Sequence, residues 1–180
     1  DAYLVATLGD DLLIVDQHAA HERIVFNRVL AMLERGAGDA QPLLMPLTFD
    51  VAPADVGRLE AIVPLLERAG IEIENFGGQT YVVRATPAAL PDLDVVAAIQ
   101  DFLDDPEDRS GLRAAAPHER LAARLACHAA VKASQRLSSD EAHALIGDLL
   151  EADSPHTCPH GRPTMIRLTR EELDKQFKRA

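Results

Sequence analysis

Two short clusters in this chain hold residues of the kind that bind metal ions. The first is Asp16-Gln17-His18-Ala19-Ala20-His21-Glu22. His18 and Glu22 are four apart, so on a helix they share a face about one turn apart and both can reach a single ion. Asp16, at the end of the preceding strand, can approach the same place. The second cluster is Cys158-Pro159-His160-Gly161-Arg162-Pro163. Here a thiolate and an imidazole sit two residues apart, in a loop stiffened by prolines and freed at Gly161. Each cluster also has a plainer reading. The first could be a helix start whose acids favour the dipole and whose histidines are solvated, the second a turn around a buried cysteine. Cys127, the other of the two cysteines, reads by itself as core packing.

Taken together, His18, Glu22, Cys127, Cys158 and His160 mix imidazole, carboxylate and thiolate in proportions that suit Zn²⁺. A closed structural site takes four ligands. Five, with Asp16 as a sixth, are more naturally shared between two ions, and a pair of ions ~4 Å apart is the usual clamp for hydrolysing a phosphodiester. The histidines outside the clusters (His118, His143, His156) read as surface or capping residues, and His21 as solvent-facing beside the His18–Glu22 line.

The elements that must position these residues follow from the patterning. Tyr3–Leu8 and Leu12–Val15 are β-prone runs around Gly9-Asp10-Asp11, a hairpin whose second strand delivers the chain to Asp16. Apolar residues at helical spacing from Ala19 to Leu33 predict a helix that Gly36 and Gly38 end. Gln41–Phe49 is a Pro-punctuated apolar stretch. A helical pattern over Asp55–Ala69 contains Pro64, which is expected to kink or interrupt it. Ile71–Phe76 and Thr80–Arg84 flank Gly77-Gly78-Gln79, a second hairpin signal. Helices are expected over Leu93–Leu103 and Glu119–Ala133, with a polar connection over Asp104–Ala116. Ser138-Ser139-Asp140-Glu141 and Thr169-Arg170-Glu171-Glu172 are capping-box signatures, with a short strand over Met165–Leu168 between them. Strands and helices alternating with hairpins indicate an α+β fold.

The 180 residues are 47% hydrophobic and carry a net charge of −11. A chain of this length buries roughly 70% of its unfolded surface, enough for a core without disulfides. No apolar run approaches the ~20 residues of a membrane span and no signal-peptide leader is evident, so the expected location is the cytoplasm. A pair of thiols there fits metal binding or burial better than a disulfide. The acidity argues against autonomous tight binding to nucleic acid, which needs a surplus of Lys and Arg on the binding face. The start on Asp1, followed at once by a strand, suggests an excised domain.

Four segments, Asp16-Gln17-His18-Ala19-Ala20-His21-Glu22, Ala126-Cys127-His128, Cys158-Pro159-His160-Gly161-Arg162-Pro163 and Phe177-Lys178-Arg179, occur in this order along the whole chain. In order and rough spacing the set resembles the C-terminal endonuclease domain of MutL-type DNA mismatch-repair proteins. The resemblance implies a latent, metal-dependent nicking endonuclease that also dimerises the full protein, its ATPase lying in a separate N-terminal region. It implies His18, Glu22, Cys127, Cys158 and His160 as metal ligands, with Zn²⁺ structural or regulatory and Mn²⁺ or a similar ion serving nicking. Asp16 matches the acid needed for nicking, with Glu22 also catalytic. Lys132, Arg162 and Arg179 are candidate phosphate contacts. The family's first motif commonly continues with a second glutamate five residues after the first, where this chain has Asn27; that departure puts full nicking activity in doubt.

Gln41-Pro42-Leu43-Leu44-Met45-Pro46 reads blandly as a loop feeding a buried strand. It also resembles the short sliding-clamp-binding motif of replication and repair proteins, with Gln41 at the pocket mouth, Leu43 and Leu44 (with Met45) as apolar contacts, and Pro46 closing the motif. The implied partners are a second copy of the chain, the sliding clamp, a mismatch-recognition protein through the full-length chain, and double-stranded DNA held weakly. The implied location is cytoplasmic and nucleoid-associated. Residues 1–46 with 155–180 are expected to form a dimerisation subdomain carrying the metal motifs, and 47–154 a regulatory subdomain. The rival expectation is a non-catalytic dimerisation and clamp-docking module with a structural zinc.

Overall fold

The computed structural model describes residues 2–36, 38–104, 116–130 and 137–179. Lys132 and nearly all of the expected 104–116 connection lie outside them. In chain order the elements are β1 (Tyr3–Leu8), β2 (Asp11–Asp16), α1 (Gln17–Arg35), β3 (Ala40–Asp50), α2 (Val56–Arg68), β4 (Glu72–Gly77), β5 (Thr80–Pro87), α3 (Val95–Asp104), α4 (Pro117–Ala129), α5 (Ser139–Glu151), β6 (Met165–Leu168) and α6 (Arg170–Gln176). The fold is α+β, with six helices and two three-stranded antiparallel sheets among the described residues. No described helix is long and apolar enough to cross a membrane.

The chain divides into two compact units, one from Asp1–Ile24 with Val131–Ala180 and one from Val25–Ala130. The breaks fall within α1 and after α4.

In the first unit the sheet runs β1-β2-β6. The β1–β2 turn pairs Leu8 with Asp11 across Gly9, whose φ of +60° suits a residue without a Cβ. Leu13 and Val15 point from β2 into a small core with Ala20, Ile24, Leu145 and Leu149. α5 starts on its capping box: Glu141 N donates to Ser138 Oγ at 3.3 Å, and Ser138 N donates to Glu141 Oε2 at 2.7 Å. Thr169 and Glu172 start α6 in the same way, with bonds of 3.3 and 2.8 Å. β6 pairs Met165 with Val15, which sets the incoming 155–164 loop beside the end of β2 and the start of α1.

In the second unit the sheet runs β3-β5-β4. Its core draws on Val29 and Leu33 of α1, Leu59 and Leu66 of α2, Val83 of β5, Ile99 of α3 and Leu121 and Leu125 of α4. Pro64 does not interrupt α2, which continues through it. The ring is on the exposed face, so the carbonyl of Glu60 that loses its helical donor is left to water. The Pro-rich 41–49 stretch is a strand with a wide bulge: Pro42 pairs with Ala85 and Leu47 with Val83, so 43–46 stand opposite Arg84 alone. Leu43 packs against the core, while Leu44 and Met45 are 104% and 79% exposed.

Candidate metal centre

Glu22 enters the centre from the second turn of α1. Asp16 ends β2 and caps that helix, accepting from Ala19 N at 3.0 Å, while its own N–H donates to Thr164 O at 2.9 Å. The buried positions that follow (Ala19, Ala20, Arg23 and Ile24) are packed on the inside of the unit, and Glu22 is carried inside with them, 0% exposed.

The 155–164 loop returns Cys158 and His160 to the same place. Thr157 and Pro163 form a two-residue bridge, Cys158 N donates to Arg162 O at 2.8 Å, and Gly161 N donates to Cys158 O at 2.9 Å. Gly161 closes this tight turn at φ +79°, a conformation that favours glycine. The Thr164 hydroxyl donates to Pro155 O and Thr164 N to His156 O, sealing the base of the loop. From α1, Arg23 Nε donates to Thr157 O at 2.5 Å.

The result is a group of Glu22, Cys158 and His160 whose ligand atoms all lie within 4.8 Å of one another. Cys158 is 1% exposed. His160 Nδ1 lies 2.9 Å from Glu22 Oε1, close enough for an ion pair. Yet neither that nitrogen nor either Glu22 oxygen has a correctly aligned hydrogen-bond partner among the described residues. Buried lone pairs left in this state are costly. A carboxylate, an imidazole and a thiol brought this close form a possible metal-binding group.

The electrostatics bear on the same group. Burial is the largest influence on Glu22 and opposes its charge, but His160, then Cys158, then Arg162 outweigh it and hold its pKa below the usual carboxylate value. Arg162 Nη2 lies 3.6 Å from Glu22 Oε2 with its side chain 60% exposed. Burial pulls the Arg162 pKa down, yet Cys158, Glu22 and Asp16 together raise it above its ordinary value. Arg23 goes the other way, since its burial outweighs the attraction of Cys158 and Glu22.

Three of the five expected ligands therefore meet in one group. His18, half-buried one turn before Glu22, and Asp16 lie outside it. Cys127 is a half-buried cysteine on α4 in the second unit. Arg162 stands beside Glu22, whereas Arg179 follows α6 with its guanidinium over the Phe177 ring at 5.9 Å. Sequence reasoning missed Arg23. Its spacing of four from Ala19 and three from Ala20 puts it on the buried side of α1, but nothing near it in sequence marks Thr157 as its partner.

A family model described as the MutL C-terminal dimerisation domain matches residues 1–137. The chain is 38% identical over 180 residues to the DNA mismatch repair protein MutL of Syntrophus aciditrophicus, covering 99% of this chain and 29% of that protein. To the MutL of Gemmatimonas aurantiaca it is 40% identical over 177 residues, 98% of this chain and 29% of that protein. To that of Symbiobacterium thermophilum it is 40% identical over 182 residues, 99% of this chain and 29% of that protein. The chain thus spans less than a third of the length of these relatives. A family match over most of the chain, with relatives aligned along nearly all of it, means that this chain belongs to the MutL C-terminal dimerisation domain family.

Proposed function

We propose that this chain is the latent, metal-dependent DNA-nicking and dimerisation part of a MutL-type mismatch-repair protein. The observation that carries the reading is the buried Glu22–Cys158–His160 group with its unsatisfied lone pairs. A divalent ion bound there would lower the pKa of a coordinated water and offset charge on a phosphodiester, with Zn²⁺ in a structural or regulatory role and Mn²⁺ or a similar ion supporting nicking. Glu22, Cys158 and His160 are assigned as ligands, with His18 and Cys127 added on the family resemblance. Asp16, whose charge is felt by Arg162, is assigned to nicking by orienting the attacking water. The partly exposed Arg162 is suited to meet a phosphate oxygen, and Lys132 and Arg179 are kept as further phosphate contacts.

Net charge −11 supports latency, because DNA then has to be delivered by partners or by the remainder of the protein, including its ATPase and its contacts to the mismatch-recognition protein. The β3 bulge supports clamp binding: Leu44 and Met45 are held out in solvent between Gln41 and Pro46, as a docking peptide requires. For homodimerisation we assign the face of the first unit formed by β1 and α5. A cavity of about 600 Å³ there is lined by Val5, Leu8, Leu12, His143, Ile146 and Leu150, and shares no residue with the metal group. Val5, Leu8 and Leu150 are 68%, 41% and 40% exposed, and β1 is an edge strand of its sheet. The expected setting is the nucleoid-associated cytoplasm.

The test is nicking of supercoiled plasmid with Mn²⁺ and the sliding clamp supplied. Wild type is expected to nick and Asp16→Asn to lose nicking while staying folded; no Mn²⁺-dependent nicking by wild type at high protein would sink the enzyme reading. The second reading, a non-catalytic dimerisation and clamp-docking module with structural zinc, is favoured by the burial of Glu22 and Cys158 and by Asn27. It predicts loss of fold on chelation without any nicking. Clamp pull-down by wild type but not by Gln41→Ala with Pro46→Ala is the outcome expected under both readings.

A further inference from the structure

Arg23 is a charged residue that the fold has taken out of water. It is 8% exposed, immediately follows Glu22 on α1, and spends its Nε–H on the carbonyl of Thr157, 134 residues away and directly before Cys158. Its guanidinium also interacts electrostatically with Cys158 and Glu22. Burying an arginine is costly, so the contacts that hold its side chain here bear on how the loop is placed. The same side chain donates to the loop that carries Cys158 and brings a positive charge that interacts with both Glu22 and Cys158.

We propose that Arg23 is the positioning residue of the metal centre: its Nε–H pins the Thr157 carbonyl so that Cys158 stays within reach of Glu22, and its charge offsets the repulsion between carboxylate and thiolate. This rests on the reading of Glu22, Cys158 and His160 as ligands. Groups that orient ligands from behind in this way commonly matter nearly as much as the ligands. The planar fork is what lets one side chain pin a carbonyl and face two anions; an ammonium restores the charge but not the pin.

Cobalt(II) titration of the chain tests this, because a thiolate ligand gives a sulfur-to-cobalt charge-transfer band. Wild type is expected to show the band and Cys158→Ser to lose it. Arg23→Met is expected to bind cobalt ~10–100-fold more weakly, with Arg23→Lys in between. Thermal unfolding in chelator is measured alongside: a merely structural Arg23 would lower the midpoint of its variants but leave the band and the affinity of the folded protein unchanged. Unchanged cobalt affinity in both Arg23 variants overturns the proposal while the metal reading stands. A wild-type chain with no band overturns the metal reading and this assignment with it. If Arg23→Met does not fold, Arg23→Lys decides: weakened affinity with the band restored at higher cobalt supports the proposal, and wild-type affinity overturns it.

Discussion

At the residue scale, the buried polar atoms divide into those the fold uses and those it tolerates. The Glu22 oxygens and His160 Nδ1 belong with Cys158 to a group able to hold a metal ion. Tyr81 Oη does not. It is buried without a hydrogen-bond partner among the described residues, inside an apolar core beside Phe49. Tyr81→Phe should therefore raise stability by about 1 kcal/mol, since it removes a desolvated hydroxyl and leaves the ring packing intact; chemical denaturation with an unchanged m-value is the measurement. The ligand types were legible in the sequence because thiolate, imidazole and carboxylate are rare enough together to stand out. Arg23 was not, because an arginine on a helix looks solvated until a distant loop lays Thr157 over it. Nor could spacing separate Glu22 from His18, which share a helix face although only Glu22 joins the close group.

At the element scale, local chemistry was legible wherever a few adjacent residues decide the outcome. The capping boxes of α5 and α6 and the β6 strand stand where their residues indicated, since a cap is a contact between neighbours. The proline-bearing elements were less legible. Pro64 remains inside α2 because the helix is held by Leu59, Ile62 and Leu66 on its buried face, a tertiary term that outweighs local propensity. Pro64→Ala restores one backbone hydrogen bond on an exposed face and should stabilise the chain by about 1–3 kcal/mol, read as a raised unfolding midpoint.

Asp11 ties β2 to β6 and α6, accepting from Arg167 Nε at 2.7 Å and from Arg170 N at 3.1 Å. The Arg167 hydrogen bond first, and then the Arg170 N–H, hold its pKa below 3.8. A carboxylate with a lowered folded-state pKa adds stability that is complete above 3.8 and is lost as pH falls through the lower folded value. Asp11→Asn should accordingly be less stable than wild type at neutral pH, with the difference vanishing in acid. A difference that persists below that range would assign the effect to packing.

At the scale of the whole molecule, the two compact units carry different surfaces. The first holds the metal group and the apolar β1–α5 face, and the second holds the β3 bulge with Leu44 and Met45. The α+β class was legible from the alternation of patterns, whereas a division that cuts a continuous helix, as at Ile24, follows contacts and leaves no mark in composition. If the β1–α5 face joins two copies, Val5→Asp should shift the chain from dimer to monomer in sedimentation equilibrium while its metal binding is unchanged; a persistent dimer would move the interface elsewhere.

Whether Glu22, Cys158 and His160 hold a metal ion is read out at the site by anomalous diffraction from crystals of the chain soaked in Zn²⁺. A peak bounded by Cys158 Sγ, a ring nitrogen of His160 and a Glu22 oxygen, and absent in Cys158→Ser, is expected. A wild-type crystal with no peak at that point, or with zinc bound only at surface histidines, would contradict it.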